Sequence, residues 1–434
     1  MLDLSEHSTA RSPIPASTRE LVVACASVLA VFLAGVSLKA SGWSWPGDDA
    51  WRLGGDFSAF YVAGRMLNEH DGARLYDFDR QAQSFREAMP GSTAPKLPFF
   101  NPPLVAAVFR PLARLPLSTA LAIFLASTFL LFLASLWLLT STFGPSTRDE
   151  RALALLAGLS FFPFLGYTWL GAQISVLGFA AIVLALREED RGREFSSGLA
   201  LSLCLYKPSL LTLLVPMLLF TRRFRHLLGF VAGGATLALA SLVLAGPEAT
   251  LVYLDRTGWL ITRATTQGDA AFSVLRYVDL NAFFRLLPYG RSPIGYVTLA
   301  AIAISAATAI LTTWMRSSNA DRHGRLLMWA ATLTWSLVLN IYTPFYDTIL
   351  VVAAGVIAVA AVRARAWRGW NRLAPALASV YVTPWIAEIC ARTFRVQIYT
   401  VVLGAFGTLL LVEANRPVAA TLAREQRRHE RGAI

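Results

Sequence analysis

Charge is scarce in this 434-residue chain: Asp, Glu, Lys and Arg make up 15% of it, against about a quarter in an ordinary soluble protein. With 55% hydrophobic residues and a mean hydropathy of +0.52, the chain cannot cover a water-facing surface in the usual way. That excludes the soluble-enzyme and disordered classes. Cysteine is nearly absent, and Cys25, Cys204 and Cys390 all fall inside apolar runs without C-x-x-C spacing. They read as small buried apolar residues rather than disulfides or metal ligands. Histidine is rare, and the charge distribution leaves His70 alone on the outer side, so a histidine-based metal site is excluded there. No Walker loop, G-x-S-x-G or H-E-x-x-H motif occurs. Repetition at a fixed period is lacking too, which weighs against an inverted-repeat transporter.

What is present are apolar stretches of roughly 16–23 residues, the length of a bilayer-spanning helix. The net charge of +12 resides in short arginine clusters between those stretches, not along one stripe, so nucleic acid is not the expected partner. Of the 39 basic residues only Lys39, Lys96 and Lys207 are lysine, a bias associated with GC-rich bacterial genomes. Clusters at Arg187–Arg193, Arg222–Arg225, Arg316–Arg325, Arg363–Arg372 and Arg416–Arg431 fit cytoplasmic loops under the positive-inside rule. The segments 39–97, 171–175, 206–209, 247–292 and 340–347 then face outward. The resulting division is a cytoplasmic tail 1–20, a membrane domain 21–414 and a basic cytoplasmic tail 415–434. The apolar run from Leu21 has no cleavage pattern after it, and reads as an anchor rather than a signal peptide. Parity of the crossings requires the proline-broken run 98–114 to be re-entrant or half-spanning. About 12 spanning helices remain, with both termini inside.

The first outer loop has helical periodicity from Asp56 to about Asn68, with Phe57, Phe60, Tyr61, Gly64 and Leu67 on one face, and a second helix is expected at Asp79 to Ala88. Loop 247–292 mixes Trp259, Phe272, Tyr277 and Phe283 with Arg256, Arg263, Arg276 and Arg285, a composition suited to the lipid headgroup zone.

Ionisable residues at the membrane are costly and therefore informative. Asp56, after two glycines and before an amphipathic helix, suits an N-cap, and it equally suits a general base; a cap can offer its second oxygen to a substrate. Lys207 interrupts an apolar stretch next to the helix-breaking Pro208. It reads either as a snorkelling structural lysine or as a cation for a lipid phosphate, assisted by Arg263 or Arg276. Gln173 in GAQIS can bond the same ligand or a neighbouring helix. In NIYTPFYD, Pro344 is expected to end one span and Tyr346 to begin the next, with Tyr342, Tyr346 and Asp347 at the junction either as belt tyrosines with a capping aspartate or as substrate contacts. Tyr61, Arg65 and Asn101 complete the set of candidate substrate-positioning residues, although Asn101 with Pro102 and Pro103 also suits a re-entrant turn. Asp77 and Asp79 spell D-x-D, a metal and nucleotide-sugar pattern in soluble glycosyltransferases that is common by chance.

The order of these segments is familiar. GGDFSAFYVAGRMLNEHDGARLYD, FNPPLVAAVFRPLARLP, GAQISVLGFAAIVLAL, SSGLALSLCLYKPSLLTLLVPMLLFTRRFR and YTPFYD, over roughly residues 20–360, together resemble glycosyltransferase family 87. The resemblance implies an all-α polytopic enzyme of the GT-C fold. It would move a sugar, with inversion, from a polyprenyl-phosphate carrier to a hydroxyl of a lipid-linked or other glycan acceptor. The site would face the periplasm across a bacterial inner membrane, with membrane lipid as surroundings. Asp56 occupies the place of the family's general base, and Lys207 that of a donor-phosphate contact. Family mannosyltransferases acting on inositol glycolipids have a histidine pair near the position of Tyr346 and Asp347; this chain lacks it, so donor sugar and acceptor do not carry over. No cofactor is implied, and the need for a divalent metal stays open. Two other classes compete: a transporter or flippase for a polyprenyl-linked sugar, and a non-catalytic subunit that binds lipid-linked glycan.

Overall fold

The computed structural model describes residues 18–40, 55–90, 97–145, 147–266, 274–317, 322–365 and 369–416. Its described residues form helices and turns without a strand, as an apolar chain without sheet-forming alternation should. Helix α1 (Thr18–Ala40) precedes two helices of the first long loop, α2 (Phe57–Asn68) and α3 (Phe78–Ala88). Both lie within a residue of the periodicity-based expectation. The proline-broken run holds only α4 (Pro103–Phe109), about 10 Å of helix, and a turn at Leu112–Arg114. That is too short to cross a bilayer. Gly64 of α2 lets the two helices touch, since a Cβ there would lie 2.8 Å from the backbone of Phe109.

The bundle follows with α5 (Leu117–Phe143), α6 (Arg148–Leu159), α7 (Ser175–Asp190), α8 (Glu194–Ser202), α9 (Leu214–Phe220) and α10 (Phe224–Leu244). The second long loop is largely helical, with α11 (Pro247–Thr266) and α12 (Leu280–Leu286). The remainder comprises α13 (Pro293–Ser317), α14 (Arg322–Val338), α15 (Leu350–Ala364), α16 (Trp370–Val382), α17 (Pro384–Phe394) and α18 (Ile398–Ala414).

Among the described residues four helices are long and apolar enough to cross a membrane, and six if the bent pairs α6 with Pro163–Trp169 and α16 with α17 each count as one span. Three shorter apolar helices, Glu20–Leu33, Pro208–Phe220 and Ile398–Ala414, accompany them. The figure of about twelve crossings stays an expectation. The apolar runs are cut by Pro163, Pro208 and Pro384, and each cut replaces a continuous rod by two short helices.

Burial sorts the helices. In α14 and α15 residues are buried nearly all round, with Trp329, Leu333, Ala354 and Ile357 inaccessible. By contrast α10 and α13 expose Leu228, Val231, Val243, Val297 and Ile304. Apolar side chains presented outward in such number suit lipid rather than water.

Several helices run between the same two ends of the bundle. At one end Ser175 opens α7; at the other, Asp190 closes it and pairs with Arg322 at the start of α14 at 2.6 Å. Beside it Glu189 holds both Arg223 and the buried His226. Helix α14 returns toward Asn340, and α15 leads away again to Arg363, which donates to the carbonyl of Gly144 at 2.7 Å. Sixteen residues of α7 separate the two ends by about 24 Å.

Candidate functional site

Helix breaks supply the site. A proline or an unwound turn leaves backbone groups without helical partners, and nearby side chains and loops satisfy them. Four such breaks meet: the start of α2, the wide turn Pro163–Trp169 with GAQIS after it, the Lys207 junction, and residues 340–349.

Asp56 is fixed by its N–H, which donates to the carbonyl of Gly171 at 3.3 Å, joining the first loop to GAQIS. It stands at the N-cap position of α2, but its side chain makes no capping bond. The carboxylate is half-buried and accepts no hydrogen bond among the described residues. Burial pushes its pKa up to about 6, while the nearby charges of Lys207 and then Arg276 pull it down. A side chain surrounded by protein that still keeps accessible surface is the wall of a recess.

Lys207 lies between the short turns Leu203–Tyr206 and Pro208–Leu211. Its ammonium does not snorkel away: Nζ donates to Oδ2 of Asp347 at 2.5 Å and lies 4.5 Å from the ring centroid of Tyr346 and 5.1 Å from that of Tyr342. Aromatic faces stabilise a desolvated cation. The other oxygen of Asp347 accepts from Ser175 Oγ at 2.7 Å. Asp347 therefore does not cap a helix; it joins GAQIS, the lysine junction and YTPFYD into one unit.

The 340–349 segment differs from the expected simple junction. Helix α14 stops at Val338, and Phe345–Ile349 forms a tight turn before α15. Asn340 ends the first helix by accepting from the N–H of Ile341 at 2.9 Å and donating to the carbonyl of Ser209 at 2.8 Å. Before Pro344, whose ring disfavours helical backbone at the preceding residue, stands Thr343. Its N–H donates to Asp279 Oδ2 at 2.8 Å, its carbonyl accepts from the N–H of Val278 at 2.8 Å, and Thr168 Oγ1 donates to the carbonyl of Tyr346 at 3.0 Å.

Asp279 is completely buried and caps α12, its Oδ1 accepting from the N–H of Ala282 at 2.8 Å. Burial pushes its pKa up to about 6 against the pull of the Ala282 and Thr343 N–H groups. Just before it, Arg276 donates to Glu388 Oε1 at 3.2 Å. That carboxylate also takes Tyr167 Oη at 2.6 Å and Arg392 at 2.6 Å.

Of the sequence candidates, Asp56, Lys207, Arg276, Tyr342, Tyr346 and Asp347 come together. Asn101 joins at the margin: its Nδ2 donates to the carbonyl of Tyr206 at 3.4 Å, and its carbonyl accepts from Tyr76 Oη at 2.7 Å. Gln173 is buried in the GAQIS turn, with its N–H on the carbonyl of Thr168 at 2.8 Å. Two candidates point elsewhere. Tyr61 donates to the carbonyl of Leu115 at 2.8 Å, and Arg65 pairs with Glu69 at 2.7 Å and Glu87 at 3.3 Å. At 3.6 residues per turn they lie about 140° and about 180° round the helix from Asp56. The side chain of Arg263 lies outside the described residues. The D-x-D pair is a cap: Asp77 accepts from the N–H groups of Asp79 and Arg80 at 3.0 and 3.2 Å and pairs with Arg74. Among the described residues no three His, Cys, Asp or Glu side chains are grouped to hold a metal ion.

Sequence reasoning missed Ser175, Asp279, Asn340 and Glu388. For Glu388 the signal was there, a carboxylate inside the apolar stretch PWIAEICARTF. For Asp279 it was an Asp one residue before a helix start.

No curated protein and no solved structure matches the chain. The sequence model of glycosyltransferase family 87 matches residues 99–344, more than half of the 434 residues. Lys207, Arg276 and Tyr342 lie inside that stretch, Tyr346 and Asp347 just beyond its end, and Asp56 before its start. The recess thus combines residues of the matched stretch with flanking ones, in a multi-helix membrane protein, and the chain belongs to glycosyltransferase family 87.

Proposed function

We propose that this glycosyltransferase uses a polyprenyl-phosphate sugar, a hexose such as mannose, and passes it with inversion to a hydroxyl of a lipid-linked or other glycan acceptor. The scaffold would be GT-C, set in a bacterial inner membrane, with the recess facing the periplasm. The observation that carries this reading is Asp56: a half-buried carboxylate, without a hydrogen bond among the described residues, within electrostatic reach of Lys207 and Arg276.

In the transfer the acceptor oxygen bonds to the anomeric carbon as the bond from that carbon to the phosphate oxygen breaks. Asp56 takes the hydroxyl proton, and the polyprenyl phosphate leaves with the bonding electron pair. Its charge grows from one to two negative units, and cations already in place offset that charge without reorganising. Lys207 and Arg276 have this role, each held by a carboxylate of its own, Asp347 and Glu388. Asp347 is unsuited to be the base, since both of its oxygens are engaged, by Ser175 and Lys207, and it is buried. Tyr342 and Tyr346 flank the ammonium and would border the sugar.

Purified enzyme offered a panel of polyprenyl-phosphate sugars should form a glycoside. Asp56→Asn should lower kcat about 10²–10⁴-fold, the usual worth of a positioned general base, with an unchanged elution profile. Full activity in that variant rules out Asp56 as the base. Sugar-lipid moved across proteoliposomes without a new glycosidic bond points to a transporter instead.

A further inference from the structure

Arg276 carries its guanidinium on a short turn, Val274–Arg276, and such a turn does not fix a long side chain by itself. Its fixing comes from the far end of the sequence. Glu388 of α17 accepts from Arg276 Nε at 3.2 Å. Gln397, fully buried and nine residues further on, donates Nε2 to the carbonyl of Leu275 at 2.9 Å. Two side chains of one C-terminal segment therefore grip two consecutive residues of the turn. That segment is anchored under the site in its turn. Tyr399 stacks on Phe345 with ring centroids 5.7 Å apart, and Phe345 stacks on Tyr167 at 5.0 Å. Tyr167 then donates to Glu388 Oε2 at 2.6 Å.

We infer that Glu388, which lies beyond the stretch matched by the family, is a positioning residue that aims Arg276 at the phosphate of the donor. This rests on the reading of Arg276 as a donor-phosphate contact. The chemistry favours it: a carboxylate bound through Nε leaves the two terminal nitrogens of the guanidinium for an anion, and the planar fork suits phosphate oxygens. Glu388 does not touch the substrate. Its effect passes through the aim of Arg276, whose charge stays in place when Glu388 is neutralised, so a Glu388 variant should alter phosphate affinity more than turnover.

The test measures binding of a polyprenyl monophosphate in detergent micelles, which needs no turnover, alongside sugar transfer. Glu388→Gln keeps the shape and an acceptor for Tyr167 but removes the charge. It should weaken binding and raise the donor KM roughly tenfold, the scale of one charge-assisted hydrogen bond, with kcat within about twofold. Arg276→Ala should weaken binding at least as much and also lower kcat, because it removes one of the two cations that offset the growing phosphate charge. The double variant should be no worse than Arg276→Ala alone, since coupled residues are not additive. Tyr167→Phe, which leaves both charges in place, gives a smaller change in the same direction and serves if Glu388→Gln does not fold. Additive effects, or wild-type affinity in Glu388→Gln or in Arg276→Ala, overturn the inference, as does a wild-type enzyme that does not bind the monophosphate. A wild type that binds it and transfers nothing, with the affinity pattern intact, supports the Arg276–Glu388 coupling and overturns the transferase reading of the site.

Discussion

Asp56 and Asp347 both lie near Lys207, and their hydrogen bonds separate their roles. Asp347 is consumed by Ser175 and the lysine, whereas Asp56 spends only its backbone on the fold. With its pKa pushed up to about 6, Asp56 loses its proton just below neutral pH. The log of kcat/KM should therefore rise with pH to a plateau above an inflection near 6, and a flat profile between pH 5 and 8 would contradict the assignment. Stability moves in the opposite sense. The folded chain holds this proton more tightly than the unfolded chain, where an aspartate titrates near 4. The stabilisation from binding it is present at low pH and lost as pH rises from about 4 through about 6. Asp56→Asn should accordingly unfold at a higher temperature than the wild type at pH 8, with the difference vanishing toward pH 4.

At the scale of elements, the position of Lys207 depends on how closely α8 meets α10. A Cβ on Gly229 would lie 2.0 Å from the carbonyl oxygen of Phe195, and one on Gly198 would lie 1.8 Å from that of His226. The small residues at 229 and 233 form a G-x-x-x-G step that brings the two backbones together. Since α8 runs into the lysine junction five residues after Ser202, Gly229→Ala should lower the unfolding temperature in detergent and reduce donor affinity together. Gly234→Ala adds a methyl 3.1 Å from the tip of Leu205, a side chain able to shift, and should cost much less. A Gly229→Ala variant with wild-type melting would disprove close backbone packing at this crossing. The helices of the first long loop were legible in the sequence because each is amphipathic with the helical period, and both appear where expected. The break at 163–169 was not, and the junction expected at Pro344 is wider than expected, from Val338 to Leu350. A hydropathy run does not show where a helix stops when its freed backbone groups are satisfied by side chains distant in sequence, as Thr168 and Asp279 do here.

For the molecule as a whole, the two ends of the bundle differ in chemistry. Asp190–Arg322, Glu189–Arg223 and Arg363 lie at one end, and the recess lies at the other, about 24 Å away along α7. If the arginine end is cytoplasmic, a cysteine in place of the exposed Arg74, in the first long loop, should react with a membrane-impermeant maleimide in intact spheroplasts. One at Arg193, also exposed, should react only after lysis. The background for both should lack Cys25, Cys204 and Cys390. Labelling of both from the same side would refute the topology. The sequence by itself determined the membrane class, the clustering of arginines and the candidacy of Asp56, Lys207, Arg276 and Asp347, because a charge in or beside an apolar run is costly enough to be conspicuous. Only the tertiary structure decided which charges are partners. It set Asp347 against Lys207 and Glu388 against Arg276 and left Asp56 open, because pairing is fixed by distance in space between segments that the chain keeps more than a hundred residues apart.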